Sequence, residues 1–369
     1  MSAPTALKDA LGRLRRWLIE DALPLWASAG RDPAGGFYDR LGQDGRPAVT
    51  PKRARVQARQ AYVYATAAQR GWMDRAAASD LARHGLDALL ALRRPDGLYT
   101  ASPPQEILDG MGLLYDQAFA LFAFAAGHSL FGDYEVEADS LRRALGPYAH
   151  PLGGFTEAPG LAQPLFANPN MHLIESAMAW RAAAPDPAWP EMADALAALA
   201  RNRLTREGGL VLEAYDADWR AAPDKANRVV WPGHLYEWAF LLLRHDPGDA
   251  RHRAAAEWLI QVAEAKGVVN GTAIFALDGH LAPVDPGARL WAQTERLRAA
   301  THVAALLDER WWSAAVDAAA SLERFLATPV PGLWRDWQGP AGEFREEPAP
   351  ASSFYHIVGA IAELEDAIG

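Results

Sequence analysis

Six times along the chain a glycine is followed by apolar or aromatic residues and, in several cases, by an acid. The motif stands at Gly35-Gly36-Phe37-Tyr38-Asp39, Asp96-Gly97-Leu98-Tyr99 and Gly153-Gly154-Phe155-Thr156-Glu157. It returns at Gly208-Gly209-Leu210, Asn270-Gly271-Thr272 and Pro331-Gly332-Leu333-Trp334. The spacing is roughly 55 to 62 residues, the length of a helical hairpin with its loops. After each motif comes a polar loop and then an apolar helical run, starting near Val56, Leu114, Met171, His234, Leu290 and Phe354. Before each motif lies a more charged run: Leu7–Trp26, Arg75–Arg93, Tyr134–Leu145, Pro190–Arg203, Ala250–Ala265 and Trp311–Leu326. The first set is apolar almost all round, as in FALFAFAA and YEWAFLLL, and so is expected inside. The second set is amphipathic and is expected outside. Six outer–inner pairs predict an all-α fold, an (α/α)6 barrel. Turn signals at QDG (43–45), YDADW (215–219) and LDGH (277–280) predict short β-hairpins at one rim. No linker or low-complexity segment interrupts the pattern, so residues 1–369 are expected to form one catalytic domain.

Composition narrows the function classes. The net charge is −10 without a lysine/arginine block, so neither nucleic acid nor an anionic membrane is an expected partner. There is no cysteine, hence no disulfide framework and no thiolate chemistry. No apolar run approaches the roughly 20 residues of a membrane span, and the N-terminal stretch has charges where a secretory signal needs an apolar core. A cytoplasmic protein, monomeric or homodimeric, is the expectation. The 14 tryptophans, many beside Gly, Pro or Asp, suit a cleft with aromatic walls for a small-molecule sugar.

If the inner helices converge at their N-terminal ends, the polar residues of the chain gather there. They are Arg55, Gln57, Arg59 and Tyr62; Tyr115 and Asp116; Asn168, Asn170, His172 and Glu175; His234, Glu237 and Trp238; Trp291, Gln293 and Glu295; and Ser352, Ser353, Tyr355 and His356. Three of these are histidines opening apolar runs, in NPNMHLIESA, PGHLYEWAF and SSFYHIVGA. Imidazole titrates near neutral pH, so the arrangement suits proton transfer. His172 with Glu175, and His234 with Glu237, share the i, i+3 spacing that puts both side chains on one helix face. A carboxylate there can hold an imidazole in one tautomer.

Each residue has a plainer alternative. A single helical histidine is ordinarily structural, and His84, His128, His150, His245, His252, His280 and His302 are read as surface or structural. Glu295 has Arg298 as an i, i+3 partner, Arg59 has the role of a buried structural arginine, and Tyr115 that of core packing. Three histidines and several carboxylates suggest a metal, but no HxH or HxxxH pair is present, so neither metal nor cofactor is expected. Phosphate loops, GxSxG elbows and dinucleotide fingerprints are also missing. A phosphate-binding cluster would require Arg55, Arg59 and Arg228 to converge.

The stretches GGFYDRLGQDGRP, KRARVQARQAYVYA, GLLYDQAFALFAFA, NPNMHLIESAMAW, WPGHLYEWAFLLLR, RLWAQTERLRA and SSFYHIV resemble the N-acylglucosamine 2-epimerase superfamily. That superfamily includes mannose isomerases, other aldose–ketose isomerases and cellobiose 2-epimerases. The resemblance implies an (α/α)6 barrel. It implies His234 and His356 as acid/base histidines, and His172 as a third near the sugar ring oxygen or anomeric hydroxyl. Glu237 would orient His234, and Glu295 would serve the catalytic histidines. Arg59, Tyr115 and Asn168 would bind substrate, joined here by Glu175, Trp238 and Arg228. Two departures bear on the substrate: Ala292 stands where many relatives have Pro, and no tryptophan follows His356 by one turn. The function this implies is interconversion of an unphosphorylated aldose and ketose, foremost D-mannose and D-fructose, through a cis-enediol(ate). The alternatives are a 2-epimerase acting on a free aldose, an N-acetylhexosamine or cellobiose, and an (α/α)6 glycoside hydrolase using two of Asp116, Glu237 and Glu295.

Overall fold

In the computed structural model, residues 3–100, 111–161, 163–205 and 208–369 are described. The chain is all-α with short strands. The first outer run is α1 (Thr5–Arg16), a π-helical stretch at Trp17–Ala22, and α2 (Leu23–Ser28). There follow α3 (Ala54–Arg70), α4 (Arg75–Ala91), α5 (Leu114–Phe131), α6 (Glu135–Ala144), α7 (Ala167–Ala183) and α8 (Ala188–Leu199). The last are α9 (Pro232–His245), α10 (Ala250–Gly267), α11 (Leu290–Leu306), α12 (Trp312–Leu326) and α13 (Phe354–Ile368). All six inner runs and all six outer runs expected from the repeat are therefore helical.

Two compact units are distinguishable. Unit I comprises Met1–Ala22, Ala200–Ala349 and His356–Gly369, and unit II comprises Leu23–Leu199 and Pro350–Tyr355. In unit II, α3, α5 and α7 are buried over most of their length, while α4 and α6 bury one stripe each. In unit I, α9 and α11 are the buried helices, and α10 and α12 are amphipathic. Burial on all sides follows from the lack of a polar face in the inner runs. Helix ends obey ordinary chemistry. Asp74 caps α4 by accepting from Ala77 N (3.0 Å), Asp249 caps α10 by accepting from Arg251 N (2.8 Å), and α3 and α5 stop at the left-handed Gly71 and Gly132.

The glycine motif has a structural cause. In four repeats an amide side chain from the first turn of the inner helix reads both backbone groups of a residue in the motif or directly after it. Gln57 Nε2 donates to Phe37 O (3.0 Å) and its Oε1 accepts from Phe37 N (2.7 Å). Gln117 does the same to Tyr99, Asn170 to Phe155 and Gln293 to Ala273. The amide mimics one rung of a β-ladder and satisfies backbone that burial would otherwise strand. Gly36 is required for the close approach, because a Cβ there would lie 2.4 Å from Gln57 Oε1 and its φ is +73°. Gln57, Asn170 and Gln293, grouped above with the polar residues of the helix starts, are thus clamps of the fold.

Two of the three turn signals form hairpins. QDG joins Arg40–Leu41 to Pro47–Ala48, and LDGH joins Ala276–Asp278 to Pro283–Asp285. YDADW is a tight turn instead: Asp216 N donates to Arg220 O (3.0 Å) and Asp216 Oδ1 accepts from Asp218 N and Arg220 N. The aspartate side chain closes the turn locally, so no strand pair is needed to hold it. Among the described residues no helix is long and apolar enough to cross a membrane.

Candidate active site

Two clusters of buried polar groups lie at the N-terminal ends of inner helices, one in each unit. In unit I, α9 opens with Pro232 at its first turn, where a missing N–H costs nothing, and presents His234 on the next residue pair. His234 Nδ1–H donates to both carboxylate oxygens of Glu213, at 2.9 Å each. A carboxylate only accepts, so Nδ1 carries the hydrogen and Nε2 is the nitrogen left to face away from Glu213. The rings of Trp231 and Trp291 flank the imidazole, with centroids 4.9 Å away in both cases. Trp291 also lies 6.1 Å from the ring of His356. One indole therefore lies against both histidines.

His356, on the first turn of α13, donates from Nδ1 to Glu295 Oε1 (2.7 Å). The other oxygen of Glu295 accepts from Arg298 Nη1 (2.9 Å). Glu295 is fully buried, and this pair of charge-assisted bonds is what makes its burial tolerable. Ligand atoms of Glu237, Glu295 and His356 come within 4.8 Å of one another. With both oxygens of Glu295 already committed, the set reads as a proton-handling cluster in preference to a metal shell.

In unit II, His172 on α7 is packed among Tyr115, Phe119 and Tyr355, with ring centroids at 5.1, 4.5 and 6.5 Å. Its Nδ1 lies 3.4 Å from Glu175 Oε2, and the same oxygen accepts from Tyr355 Oη (2.8 Å). Arg59, 4 % exposed, donates to Tyr115 Oη (2.7 Å) and Ser352 O (3.1 Å), and its guanidinium lies 3.9 Å from the Phe119 ring centroid. Arg55 forms a two-point pair with Asp116 (2.7 and 3.1 Å). Asn168, in the first turn of α7, has a buried Oδ1 with no hydrogen-bond partner among the described residues. Beside the Arg55–Asp116 pair lies Glu157, whose carboxyl is raised to about 8 by burial, with Asp116 adding to the rise and Arg55 and the Tyr115 N–H opposing it.

Three of the residues expected at the site are held as follows. The partner of His234 at Nδ1 is Glu213, from the loop before the helix, because Nδ1 points back toward the loop. Glu237 is grouped with Glu295 and His356. Arg228 is engaged by backbone carbonyls, Nε donating to Ala222 O (2.6 Å). Trp238 is wholly buried in α9. Glu213 and Glu157 were not singled out from sequence, yet both are the acid of the glycine motif: GGLVLE and GGFTE. The signal was the repeat itself. In other repeats the same acid holds an arginine at the start of an inner helix, Asp39 with Arg53 and Asp336 with Arg289.

Comparison with solved structures fixes the fold. A D-mannose isomerase superposes with a TM-score of 0.86 at 21% identity, covering 94% of this chain and 96% of its own. The cellobiose 2-epimerase of Spirochaeta thermophila DSM 6192 superposes with a TM-score of 0.84 at 21% identity, over 99% of each chain. The fold is the (α/α)6 barrel with a few short strands that sugar isomerases and epimerases share. In sequence, a Rhizobium meliloti (strain 1021) protein named mannose-6-phosphate isomerase is 41% identical over 380 residues, 97% of either chain. Residues 36–360 match the N-acylglucosamine 2-epimerase (GlcNAc 2-epimerase) family. The chain belongs to that family and is a sugar isomerase or epimerase.

Proposed function

We propose that this enzyme interconverts free D-mannose and D-fructose by proton transfer between C1 and C2, with residues 1–369 acting as one catalytic domain in the cytoplasm, as a monomer or homodimer. The observation that carries the reading is the pairing in unit I: two histidines, each held at Nδ1 by a glutamate, against one indole. Such a histidine presents Nε2 toward the proton alpha to a carbonyl. In the opened aldose, removal of the C2 proton gives a cis-enediol(ate). Return of a proton to C1 gives the ketose, and return to the opposite face of C2 gives the epimer. His234 and His356 are the acid/base pair, with Glu237 and Glu295 serving them. His172 is assigned to ring opening, and Arg59, Tyr115, Asn168 and Glu175 to sugar binding, residue by residue from the family resemblance.

The name of the 41% identical relative points to a phosphorylated sugar, and that is the second reading. A phosphate needs donors not already neutralised. Arg55 is neutralised by Asp116, whereas Arg59 donates to Tyr115 Oη and Ser352 O and Arg228 to Ala222 O, which are uncharged. The two bonds that commit Arg55 favour the free sugar. Such commitments also weigh against a hydrolase: Asp116 and Glu295 have both oxygens engaged, whereas hydrolysis wants one carboxyl for the leaving oxygen and one facing water or the anomeric carbon.

The test is NMR in D2O with mannose, mannose 6-phosphate, glucose, N-acetylmannosamine and cellobiose. Deuterium at C2 of mannose with fructose appearing is the expected result. Exchange with mannose 6-phosphate alone moves the substrate to the phosphorylated sugar. Epimer without ketose makes the enzyme a 2-epimerase, and silence with every sugar ends the reading.

A further inference from the structure

The geometry points to Glu213 as the positioning residue of His234: it fixes the Nδ1–H tautomer and stabilises the imidazolium that forms when Nε2 takes a proton. The inference rests on the proposed proton-transfer reading and deepens it. Four features support it. Both oxygens of Glu213 lie 2.9 Å from Nδ1, so no rotation of the carboxylate breaks the bond. The pair is desolvated, with side chains 11% and 6% exposed, which strengthens the interaction over one in water. The loop carrying Glu213 is braced: Glu213 N donates to Val229 O (3.0 Å), Leu212 N donates to Tyr215 Oη (2.8 Å), and Tyr215 Oη donates to Leu204 O (2.9 Å). Trp231 and Trp291 stand on the imidazole, so the ring cannot turn to offer Nδ1 elsewhere.

The rival explanation is a purely structural clamp, as Asp39 makes with Arg53 and Asp336 with Arg289. Arginine is always charged and has no tautomer. In the fourth repeat alone among these, the acid meets a group whose proton inventory changes during the proposed reaction. The titratable groups around His234 are Glu213 from the loop, bonded to Nδ1, and the Glu237–Glu295–His356 group, reached through the shared contact of both histidines with Trp291. Of these only Glu213 bonds Nδ1.

The experiment uses the full chain with 15N-labelled histidine and Glu213→Gln, with Asp336→Asn as the structural comparator. In wild type the His234 signals, identified by their loss in His234→Gln, should report hydrogen on Nδ1 and a bare Nε2. In Glu213→Gln the carboxylate is gone while size is kept. The Nδ1–H signature should weaken, kcat on the active sugar should fall about 100-fold or more, as for loss of a comparable imidazole-orienting carboxylate, and the acid limb of kcat/KM should move to lower pH. KM should stay within about threefold, since no sugar contact is removed. Asp336→Asn should lower Tm without moving either the tautomer or the pH profile. A folded Glu213→Gln with wild-type tautomer, turnover and pH profile overturns the inference, as does a variant altered only in Tm. If wild type exchanges deuterium into no sugar, the functional reading has failed, while the tautomer measurement still decides for or against Glu213.

Discussion

His356 donates Nδ1–H to Glu295 at 2.7 Å, and the partner is a carboxylate that no water reaches. Glu295 answers to Arg298 on its other oxygen, so the pair is charge-balanced before any proton moves to the imidazole. His356 is in this way held with Nε2 available, as His234 is by Glu213. Replacing either histidine by alanine should lower turnover about 100-fold or more, the usual worth of a general acid or base. Circular dichroism should show the helical signal retained. Either variant folded and near wild-type activity would remove its histidine from the mechanism.

His172 is tied less tightly. Its 3.4 Å approach to Glu175 is outside good hydrogen-bond geometry, and Glu175 accepts better from Tyr355. His172→Ala should therefore cost less than loss of His234 or His356, about tenfold in kcat, an effect well below that of a full general acid or base. The cost should shrink when the substrate is supplied as the open-chain aldehyde form of a sugar that cannot cyclise. An equal loss with both kinds of substrate would argue against a role in ring opening.

Much of this was legible in the sequence, and the reason is the repeat. An inner helix with no polar face must be buried wherever it sits, so α3, α5, α7, α9, α11 and α13 could be placed from pattern alone. The three histidines stood out because each opened such a helix. What sequence spacing left open was direction. The i, i+3 rule put Glu237 on the face of His234, but an imidazole near a helix start can turn its Nδ1 to the preceding loop, where the acid of the glycine motif waits. Sequence could not show that Gln57, Asn170 and Gln293 spend their amides on backbone either, since that needs the position of a loop some 15 to 20 residues earlier.

Gly233 sets the seat of Trp291. A Cβ on Gly233 would stand 2.3 Å from Trp291 Cζ3 and 3.0 Å from the Cβ of Ala292. The half-buried indole lies against both histidines, which narrows the room it has to retreat. Gly233→Ala should thus displace Trp291, cost about 1–3 kcal/mol of stability as overpacking does, and lower kcat by more than a matched surface Gly→Ala such as at Gly12, where nothing lies within 4 Å. Urea unfolding with parallel kinetics separates the two effects. Destabilisation with kcat unchanged would mean that Trp291 only fills space.

Glu157 carries a pH signature of its own. Although the residue is only partly covered, its Oε2 is buried without a hydrogen-bond partner among the described residues. Burial raises the carboxyl from its ordinary 4.5 to about 8. The folded protein then holds this proton more tightly than the unfolded chain. Below about pH 4.5 both states are protonated and nothing is lost. Between 4.5 and 8 the unfolded chain ionises first, so stability drains as pH rises, and above 8 the loss levels off. Glu157→Gln removes the ionisation while keeping an acceptor for the Tyr115 N–H. Relative to wild type its Tm should gain steadily from pH 5 to pH 8 and then stay level. Thermal melts of both proteins across pH 4 to 9 provide the measurement. A Tm difference independent of pH, or one that shrinks as pH rises, would show that Glu157 is ionised in the native state at neutral pH.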